Sequence, residues 1–356
     1  MDILQVITDN DRRGAQVFAT DLGTAMDKRG HTVRTVALGP GHGGASLGLE
    51  VVGSGRVDVR GQLRLRSLAT RADVIVAHGS STAQGTTLSL ARTRTPIVYR
   101  QISDSLRWAA SPWRRARVRL YLSQMAHIVA LHRGAETVLH EHFRVPSSKI
   151  TVVPNGVPID VFARPSASGR HGSGDHAAAR PDRPLVALYL GALAEEKGVR
   201  LLVDLAHACP DLDVVAYGTG PMLDELRASA PANLRLEGST DDPAGALQSA
   251  DVFVFPSIWG DSMPAVLIEA GLAGLPVVAT DVGAAREVVV DGTSGIIVAP
   301  GDVDAFVGAV QQLVARPAAE RLAMGRAGAA QARERFDIDI VAAQWEAVLE
   351  RVTDRG

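Results

Sequence analysis

With 356 residues, the chain is predicted to form two domains, and its 46% hydrophobic residues suffice for two buried cores. One cysteine, Cys209, excludes an internal disulfide and indicates a reducing compartment, while the lack of an apolar run of about 18 residues excludes a membrane-spanning helix. The net charge of −2 is uneven, because the first 160 residues hold 21 Lys and Arg against 12 Asp and Glu. This charge of +9 predicts that the first half meets something anionic.

The N-terminal stretch MDILQVITDN is an apolar strand without a basic region, so we do not interpret it as a signal peptide and expect a cytoplasmic protein. A helix is predicted over 14–29, where Val17, Phe18, Leu22 and Met26 recur at helical spacing. Short apolar, β-branched runs predict the strands of the first half: 3–8, 33–38, 74–78, 97–100, 128–131 and 151–154.

The second half repeats this alternation of strands and helices. Its predicted strands are 186–190, 213–217, 234–237, 252–256, 277–280 and 296–298. Continuous apolar strands are typical of a parallel sheet that is covered on both faces, so the fold class is α/β with two doubly wound, Rossmann-like domains. We predict a first domain over 1–163, a flexible linker rich in Gly, Ser, Ala and Pro over 164–184, and a second domain over 185–339, with a cleft between the domains.

The most informative stretch is 251–300, where Asp261 and Glu269 lie eight residues apart around a Met-Pro turn. A helix is expected to begin after Pro264, and the free N–H groups at a helix start favour an anionic ligand. Amides for a phosphate and carboxylates for hydroxyls are the polar groups that a sugar nucleotide needs. The alternative is structural: Glu269 as a favourable charge near a helix start and Asp261 as a loop carboxylate.

Other stretches of the sequence also have features of a phosphate site. A helix starting near Gly14 aims its amides toward the cleft, but the chain has neither GxGxxG nor GxxxxGK[ST], which disfavours a nicotinamide dinucleotide domain and a P-loop enzyme. Lys197 follows a strand and can reach a diphosphate, although a solvated lysine is the alternative. Asp211 and Asp213 form a D-x-D at a turn, which we interpret as structural. The histidines lack metal-ligand spacing, so we predict no bound metal and no cofactor.

Several motifs together resemble the retaining glycosyltransferases of family 4, which have the GT-B fold. The resemblance covers nearly the whole chain and rests on RRGAQ, SSKITVVPNGVPIDVF, LYLGALAEEKGVRLLV, AYGTGPMLDELR, LQSADVFVFPS, DSMPAVLIEA, GLPVVATDVGAAREVV and GTSGIIVAPGD. It implies transfer of a sugar from a nucleotide donor to an acceptor hydroxyl, with the donor on the second domain and the acceptor on the first. It also implies that the final helix, within 340–356, crosses back onto the first domain.

The resemblance assigns roles residue by residue. Glu269 is expected to bind the donor ribose, Asp261 the transferred sugar and Lys197 the diphosphate, and these three carry catalysis by charge stabilisation and positioning. The implied donor-binding set is Gly14, Gly191, Lys197, Gly218, Asp261, Ser262, Met263, Pro264, Ala265, Val266 and Glu269. The acceptor-side candidates are Arg13, His78, Arg100, Gln101 and Asp104.

Three positions depart from the family pattern. Asp261 replaces the commoner glutamate, which changes its reach toward the sugar. Ala192 stands where many members have a phosphate-binding arginine, a charge that Arg13 or Arg100 could replace. Ile102 stands near the place of a common histidine, which leaves the acceptor-side role open.

The run from Ser105 to Ala135 contains no acid and six arginines, with Trp108, Trp113 and Tyr121 among them. Basic amphipathic stretches of this kind suit an anionic membrane surface, and the proposed contacts are Trp108, Trp113, Arg114, Arg115 and Arg117. An ordinary solvated helix face is the equal alternative, and nucleic acid is a weaker one, since no recognition motif accompanies the charge.

The sequence thus predicts a nucleotide-sugar glycosyltransferase in the synthesis of a cell-envelope glycan, glycolipid or glycoside, cytoplasmic or peripheral at the inner membrane face. Within enzymes, sugar-nucleotide epimerases share the scaffold but fit the motifs less well. The alternative from another class is a catalytically weak or inactive GT-B scaffold that serves as a binding partner in glycan assembly. Ala192 and the missing histidine favour it, whereas Lys197, Asp261 and Glu269 oppose it.

Overall fold

The computed structural model describes residues 1–41, 45–55, 58–90, 93–102, 106, 109, 111–163 and 183–354. The chain divides into two compact units. Unit 1 comprises Met1–Val157 and Ile338–Gly356, and unit 2 comprises Pro158–Asp337. Each unit contains one parallel sheet and follows the α/β architecture that the alternating pattern predicts.

Seven strands form the described sheet of unit 1, in the order β3-β2-β1-β4-β5-β6-β7. The strands are β1 Asp2–Ile7, β2 Thr32–Ala37, β3 Glu50–Val51, β4 Val74–His78, β5 Ile97–Gln101, β6 His127–Ala130 and β7 Ile150–Val152. The helices are α1 Gly14–Lys28, α2 Val59–Ala69, α3 Ser80–Ser89, α4 Pro112–Ser123, α5 Arg133–Phe143 and, from the C-terminal segment, α14 Ile338–Thr353. Alternate residues of β1 enter separate cores, Leu4 one and Ile3 the other, because both faces of the sheet are covered.

Six strands form the described sheet of unit 2, in the order β10-β9-β8-β11-β12-β13. They are β8 Leu185–Leu190, β9 Leu212–Tyr217, β10 Leu234–Gly238, β11 Val252–Phe255, β12 Val277–Thr280 and β13 Gly295–Val298. The helices are α6 Ile159–Ala163, α7 Arg200–Ala208, α8 Leu223–Ser229, α9 Pro243–Gln248, α10 Ala265–Leu272, α11 Ala285–Val288, α12 Val303–Val314 and α13 Ala318–Phe336.

Both sheets reverse their strand order beside their first strand. In unit 1 the order reverses between β1 and β4, and in unit 2 between β8 and β11. Loops at the carboxyl ends of such neighbouring strands lead away in opposite directions and leave a crevice, which is where ligands bind in open α/β sheets. The fold therefore marks two places for the functional residues, one in each unit.

The predicted end of the first domain at residue 163 is wrong, because unit 1 ends at Val157. Helix α6 packs on α10 of unit 2, and the carbonyl of Phe162 accepts a hydrogen bond from Gln248 Nε2 at 3.3 Å. Phe162 itself is buried. Phe162 thus attaches α6 to unit 2, whereas Val161 of the same helix is 52% exposed. Of the predicted linker 164–184, residues 164–182 lie outside the described part, and Arg183 forms an ion pair with Asp251 at 3.0 Å.

Helix α14 belongs to unit 1 and is held there by packing and by charge. Trp345 is completely buried in the core that contains Ile3 and Phe18. Glu346 accepts hydrogen bonds from Arg29 Nε at 2.9 Å and pairs with His31 Nε2 at 2.7 Å. These two partners, Arg29 first, lower the pKa of Glu346. In the described residues, we find no helix that combines the length and apolar character needed to cross a bilayer.

We predict that Asp21→Asn stabilises the protein at neutral pH. Burial raises the pKa of Asp21 from 3.8 to about 6, with a smaller opposing effect of Arg12. A raised folded pKa means that the stability due to this group is complete below about pH 4 and is lost as pH rises through 6. The variant lacks that loss, so the free energy of unfolding at pH 7.5 rises by about 1–2 kcal/mol.

Urea unfolding of wild type and variant at pH 4 and pH 7.5 measures this difference. Asp204→Asn is the matched control, since Asp204 is an exposed carboxylate in the interior of α7. Equal stability of Asp21→Asn and wild type at both pH values would contradict the prediction.

We also predict that Gly218→Ala severely destabilises unit 2. Gly218 has φ of +152°, and a Cβ there would lie 1.8 Å from the carbonyl oxygen of Gly191, where the loops after β8 and β9 meet. Strain and overlap together cost about 3 kcal/mol or more. Gly308→Ala is the control: it lies within α12 with open space around it, so the same added methyl stabilises the helix by up to about 1 kcal/mol. Thermal unfolding compares the two variants, and similar midpoints would refute the close approach.

Candidate functional site

In unit 2 the predicted donor residues cluster at the carboxyl ends of β8 and β11. Lys197 lies in a short 3-10 helix, Glu195–Lys197, that follows β8, and Asp261 lies in the loop that follows β11. Lys197 Nζ donates a hydrogen bond to Asp261 Oδ1 at 2.5 Å. The two side chains are only 24% and 14% exposed, so the attraction is less screened than in a surface pair. Two of the three predicted catalytic residues are therefore in direct contact.

Asp261 is fixed on its other side by residues that the sequence did not single out. Ser257 Oγ donates to Asp261 Oδ2 at 2.6 Å, and Ser257 is buried. Thr280, at the end of β12, donates through Oγ1 to the carbonyl of Ser257. Both carboxylate oxygens of Asp261 are thus engaged, which holds the carboxylate in one orientation.

Tyr189 lies near enough to Asp261 to be affected by its charge. Its hydroxyl donates to the carbonyl of Ala192 at 2.7 Å, and the side chain is buried. Burial, followed by the nearby charges of Asp261 and Glu196, raises the pKa of Tyr189. The hydroxyl therefore stays protonated at neutral pH and holds the turn after β8. Ala192 contributes its backbone at the position where the family pattern has an arginine.

Helix α10 presents free amides beside the same loop. The N–H groups of Ala265 and Val266 have no acceptor within the described chain, as expected for the first residues of a helix that begins after Pro264. Glu269 follows Ala265 by one turn on the same helix face and is partly buried. The helix start and Glu269 therefore offer donors and a carboxylate on one element.

The loop that precedes α10 is held by backbone contacts. The carbonyl of Ser262 accepts a hydrogen bond from Ala284 N at 2.7 Å. Gly283, with φ of +55°, allows this approach, because a Cβ there would lie 2.2 Å from the carbonyl oxygen of Asp261. Met263 is buried, so it can reach a ligand only through its backbone. The loop that precedes α10 is thus held in place by the protein itself and does not need a ligand to order it.

The predicted glycines of unit 2 lie at the same edge of the sheet. Gly191 N donates to the carbonyl of Tyr217 at 3.0 Å, and Gly218 N donates to that of Gly238 at 2.6 Å. Asp213 of the D-x-D pairs with Arg235 at 3.0 Å, in agreement with its structural interpretation. No cluster of metal-ligating side chains occurs in the part of the chain that is described.

Unit 1 contains a pocket of about 310 Å³ at the carboxyl ends of β1 and β4. The described residues that line it are Ile7, Thr8, Asp9, Arg13, Ala15, Gln16, His78 and Ile102. Two acceptor-side candidates, Arg13 and His78, are among them. The loop that follows β1 is fixed by backbone hydrogen bonds from Arg12 N to Ala45 at 2.7 Å and from Leu47 N to Asn10 at 3.0 Å.

His78 is a buried, neutral wall of this pocket. Its Nε2 bonds with Gln5 Oε1 at 2.7 Å, and its ring stacks on Trp345 with centroids 6.4 Å apart. Burial, and next the charge of Arg100, place its pKa well below 6.5. The imidazole is therefore uncharged at neutral pH, and its ring contributes a neutral surface to the pocket wall.

Arg100 and Gln101 do not line the pocket, although both were predicted on the acceptor side. Arg100 is 1% exposed, its guanidinium lies 3.8 Å from the centre of the Phe18 ring, and its Nη2 donates to Asn155 Oδ1 at 2.5 Å. Burial lowers its pKa to about 9. The guanidinium thus contacts His78, with Arg100 Nη1 3.4 Å from His78 Nδ1. Because it is buried there, it cannot reach a ligand directly. Gln101 is equally buried.

The remaining predicted residues lie at the surface or outside the described part. A Cβ at Gly14 would have no described atom from a distant part of the chain within 4 Å, so that side of the backbone is open among the described residues. Trp113 is 87% exposed at the start of α4, and Arg114, Arg115 and Arg117 follow it on the exposed surface. Asp104 and Trp108 are outside the described residues.

Two family models and several curated proteins are similar to this chain. A model described as Glycosyltransferase Family 4 matches residues 12–161, and one described as Glycosyl transferases group 1 matches residues 184–316. The phosphatidyl-myo-inositol mannosyltransferase of Mycobacterium leprae is 33% identical over 214 residues, which are 57% of this chain and 54% of that protein. The D-inositol 3-phosphate glycosyltransferase of Mycolicibacterium paratuberculosis is 32% identical over 58% of this chain and 48% of its own length. The chain thus spans about half the length of the curated relatives it matches.

Solved structures share the fold at lower identity. Anabaena HepE in complex with UDP and glucose has a TM-score of 0.83 and 18% identity, with 99% of this chain and 100% of that chain covered. The sucrose-phosphate synthase of Thermosynechococcus elongatus has a TM-score of 0.82 and 16% identity, and all of both chains is covered. These structures establish the GT-B fold, and the two matched models show that the chain contains a glycosyltransferase family 4 domain followed by a glycosyl transferases group 1 domain.

Proposed function

We propose that the protein transfers a sugar from a nucleoside diphosphate donor to an acceptor hydroxyl, with retention of the anomeric configuration. The observation that carries this proposal is the group of polar side chains at the carboxyl ends of β8 and β11. There the Lys197–Asp261 ion pair lies in the loops beside free amides at the start of α10 and the carboxylate of Glu269. Solved structures of the same fold contain UDP with glucose and UDP-glucose, which supports a donor of this class.

The ion pair suggests how the donor is received. A diphosphate carries more negative charge than one carboxylate, so it draws Lys197 toward itself when it binds. Asp261 then keeps its hydrogen bond from Ser257 and presents Oδ1 to hydroxyls of the transferred sugar. Lys197 stabilises the negative charge that develops on the departing nucleoside diphosphate, and the amides of Ala265 and Val266 add donors whose positions are already fixed.

No step of this proposal requires a covalent nucleophile, a metal or another cofactor. Charge stabilisation comes from Lys197 and the helix start, which is the preorganised electrostatic effect that contributes most in many enzymes. Glu269 binds the donor ribose by accepting hydrogen bonds from its hydroxyls. Binding of the nucleotide and stabilisation of the reacting sugar are thus divided between two carboxylates eight residues apart.

The proposed acceptor is a glycan, lipid or small molecule of cell-envelope synthesis, with the reaction at an anionic membrane face. Several relatives act on phosphatidyl-myo-inositol or its mannosides, as their names state. The exposed side of α4 supports the membrane location: Trp113 and Leu120 are 87% and 64% exposed, and Arg114 and Arg117 form no ion pair with a described residue. Arginine and tryptophan together favour the interface of an anionic bilayer.

The first prediction for this function concerns Glu269. Glu269→Ala weakens binding of UDP or GDP, whichever the wild type binds, because charge-assisted hydrogen bonds to the ribose are lost. Such a bond contributes about 1.5–3 kcal/mol, which corresponds to about one to two decades in Kd. Titration calorimetry measures the change.

Asp261→Asn serves as the comparison for Glu269→Ala, because Asp261 is assigned to the sugar and not to the nucleotide. It should abolish most transfer without weakening nucleoside diphosphate binding. Unchanged nucleotide affinity in folded Glu269→Ala would reject its ribose role. Nucleotide binding without donor hydrolysis or transfer by the wild type would favour an inactive scaffold instead.

The second prediction concerns the membrane. Replacing Arg114, Arg115 and Arg117 by glutamine weakens binding to anionic vesicles by about 3 kcal/mol, more than a hundredfold, since each arginine near the surface adds about 1 kcal/mol. Co-sedimentation with phosphatidylserine-containing vesicles measures the affinity. Replacing Arg326, Arg333 and Arg351 by glutamine removes the same charge from other exposed helix positions and should have little effect. Equal losses in both triple variants, or no sedimentation of wild type, would leave α4 as a solvated helix face.

A further inference from the structure

Backbone hydrogen bonds tie the loop of Asp261 to the turn that carries Lys197. The N–H groups of Ile258 and Trp259 donate to the carbonyl of Glu196 at 2.9 and 3.3 Å. Glu196 directly precedes Lys197, and Trp259 lies two residues before Asp261. The two segments of backbone are therefore held side by side by bonds other than the Lys197–Asp261 ion pair itself.

Gly198 makes this close packing possible. It has φ of +63°, and a Cβ there would lie 2.0 Å from the carbonyl oxygen of Pro256, just after β11. A larger residue at this position would force one of the two segments to shift. The turn after β8 and the loop after β11 thus lie together before any ligand binds.

Of the two partners in the ion pair, the carboxylate is fixed and the lysine is mobile. Ser257 Oγ donates to Asp261 Oδ2 at 2.6 Å, and the carbonyl of Ser257 accepts a hydrogen bond from Thr280, which is completely buried. Lys197 reaches Asp261 Oδ1 through a flexible four-carbon stem. When another anion binds Lys197, the lysine therefore moves, and Asp261 Oδ1 stays in place as a competitor for the same ammonium group.

This competitor affects a nucleotide sugar and a free nucleoside diphosphate differently. In the proposed function, hydroxyls of the transferred sugar donate to Asp261 while Lys197 binds the diphosphate, so the carboxylate gains hydrogen bonds when it loses the lysine. After transfer those hydroxyls are gone, and the diphosphate lies beside a partly buried carboxylate without its cation, which is unfavourable. Ala192, in the turn after β8, adds no charge that would hold the diphosphate.

We propose that Asp261 promotes release of the nucleoside diphosphate product by taking Lys197 back from it. The Lys197–Asp261 pair is the resting state of the site, and it re-forms once the sugar has left. The inference rests on the proposed function for this order of events, whereas the competition itself requires only that a diphosphate binds Lys197. Asp261 thus has a second role besides contact with the sugar, because it weakens binding of the product relative to the donor.

The test is titration calorimetry on the full chain with UDP, GDP and inorganic pyrophosphate, which has no base and so does not depend on which nucleotide the protein uses. Asp261→Asn is nearly isosteric, and its Oδ1 can still accept from Ser257, but it removes the charge that competes for Lys197. We expect Kd for pyrophosphate, and for the nucleotide that wild type binds, to fall about tenfold or more, since one charge-assisted hydrogen bond no longer has to be broken. Surface plasmon resonance should show correspondingly slower dissociation.

Asp213→Asn is the matched control. Asp213 pairs with Arg235 at 3.0 Å, is 29% exposed and lies near the start of β9, at the opposite edge of the sheet from the site. The variant removes the same charge and breaks an ion pair of unit 2, but it leaves Lys197 with Asp261, so it should bind the probes as wild type does.

Lys197→Ala removes the group for which the two anions compete. Asp261→Asn should therefore raise the affinity much less in that background than in wild type, which a double-mutant cycle measures. An equal gain in both backgrounds would overturn the inference, because the effect would then not pass through Lys197.

Thermal unfolding shows whether each variant is folded, and Asp261→Ala, for which we expect the same gain, replaces Asp261→Asn if the latter is not. Unchanged or weaker binding of the probes to the folded variant would overturn the inference and leave the proposed function intact. An equal gain in Asp213→Asn would also overturn it, since overall charge would then explain the effect. If none of the three probes binds wild type or the variants, the donor site itself is refuted and the inference falls with it.

Discussion

The reversal of strand order in each sheet is the constraint on which both sites depend. In unit 1 the loops after β1 and β4 separate and leave the pocket that contains Asp9 and His78. In unit 2 the loops after β8 and β11 do the same and bring Lys197 to Asp261 across 64 residues of sequence. Because neighbouring strands are parallel, their carboxyl ends lie at one edge of the sheet. The polar groups that directly follow the strands therefore lie at that same edge.

The two units stabilise their buried charged side chains in different ways. In unit 2, Lys197 and Asp261 are paired, and Ser257 satisfies the second carboxylate oxygen. Removing one partner of such a pair leaves the other charge uncompensated in a partly buried place, which is unfavourable. In the proposed function, a diphosphate would take the place of Asp261 as the partner of Lys197.

In unit 1, Arg100 is buried against the Phe18 ring, the amide oxygen of Asn155 and the imidazole of His78, and no acid is among these described contacts. The ring face attracts the guanidinium, but burial still lowers its pKa to about 9. Burial first, and then this positive charge, lower the pKa of His78 and keep its side of the pocket wall neutral. Helix α14 takes part through Trp345, whose ring stacks on His78, so the C-terminal segment supports a residue of the pocket wall without lining the pocket as described.

The residue types and their order in the sequence were enough to predict the fold class and the place of the unit 2 site. Alternating strands and helices gave the α/β class, and the spacing of Asp261, Glu269 and Lys197 around strand ends indicated a sugar-nucleotide site before any contact was known. Tertiary structure decided which polar groups are satisfied. It buries Arg100 and Gln101, which were predicted to face a ligand. It also places Ser257 and Asp9 at the two sites. Neither residue was predicted from the sequence, although Asp9 follows a strand end. The reason is physical, because burial and hydrogen bonding depend on how distant segments pack. Whether a carboxylate oxygen has a hydrogen-bond donor is therefore known only when its neighbours are in place.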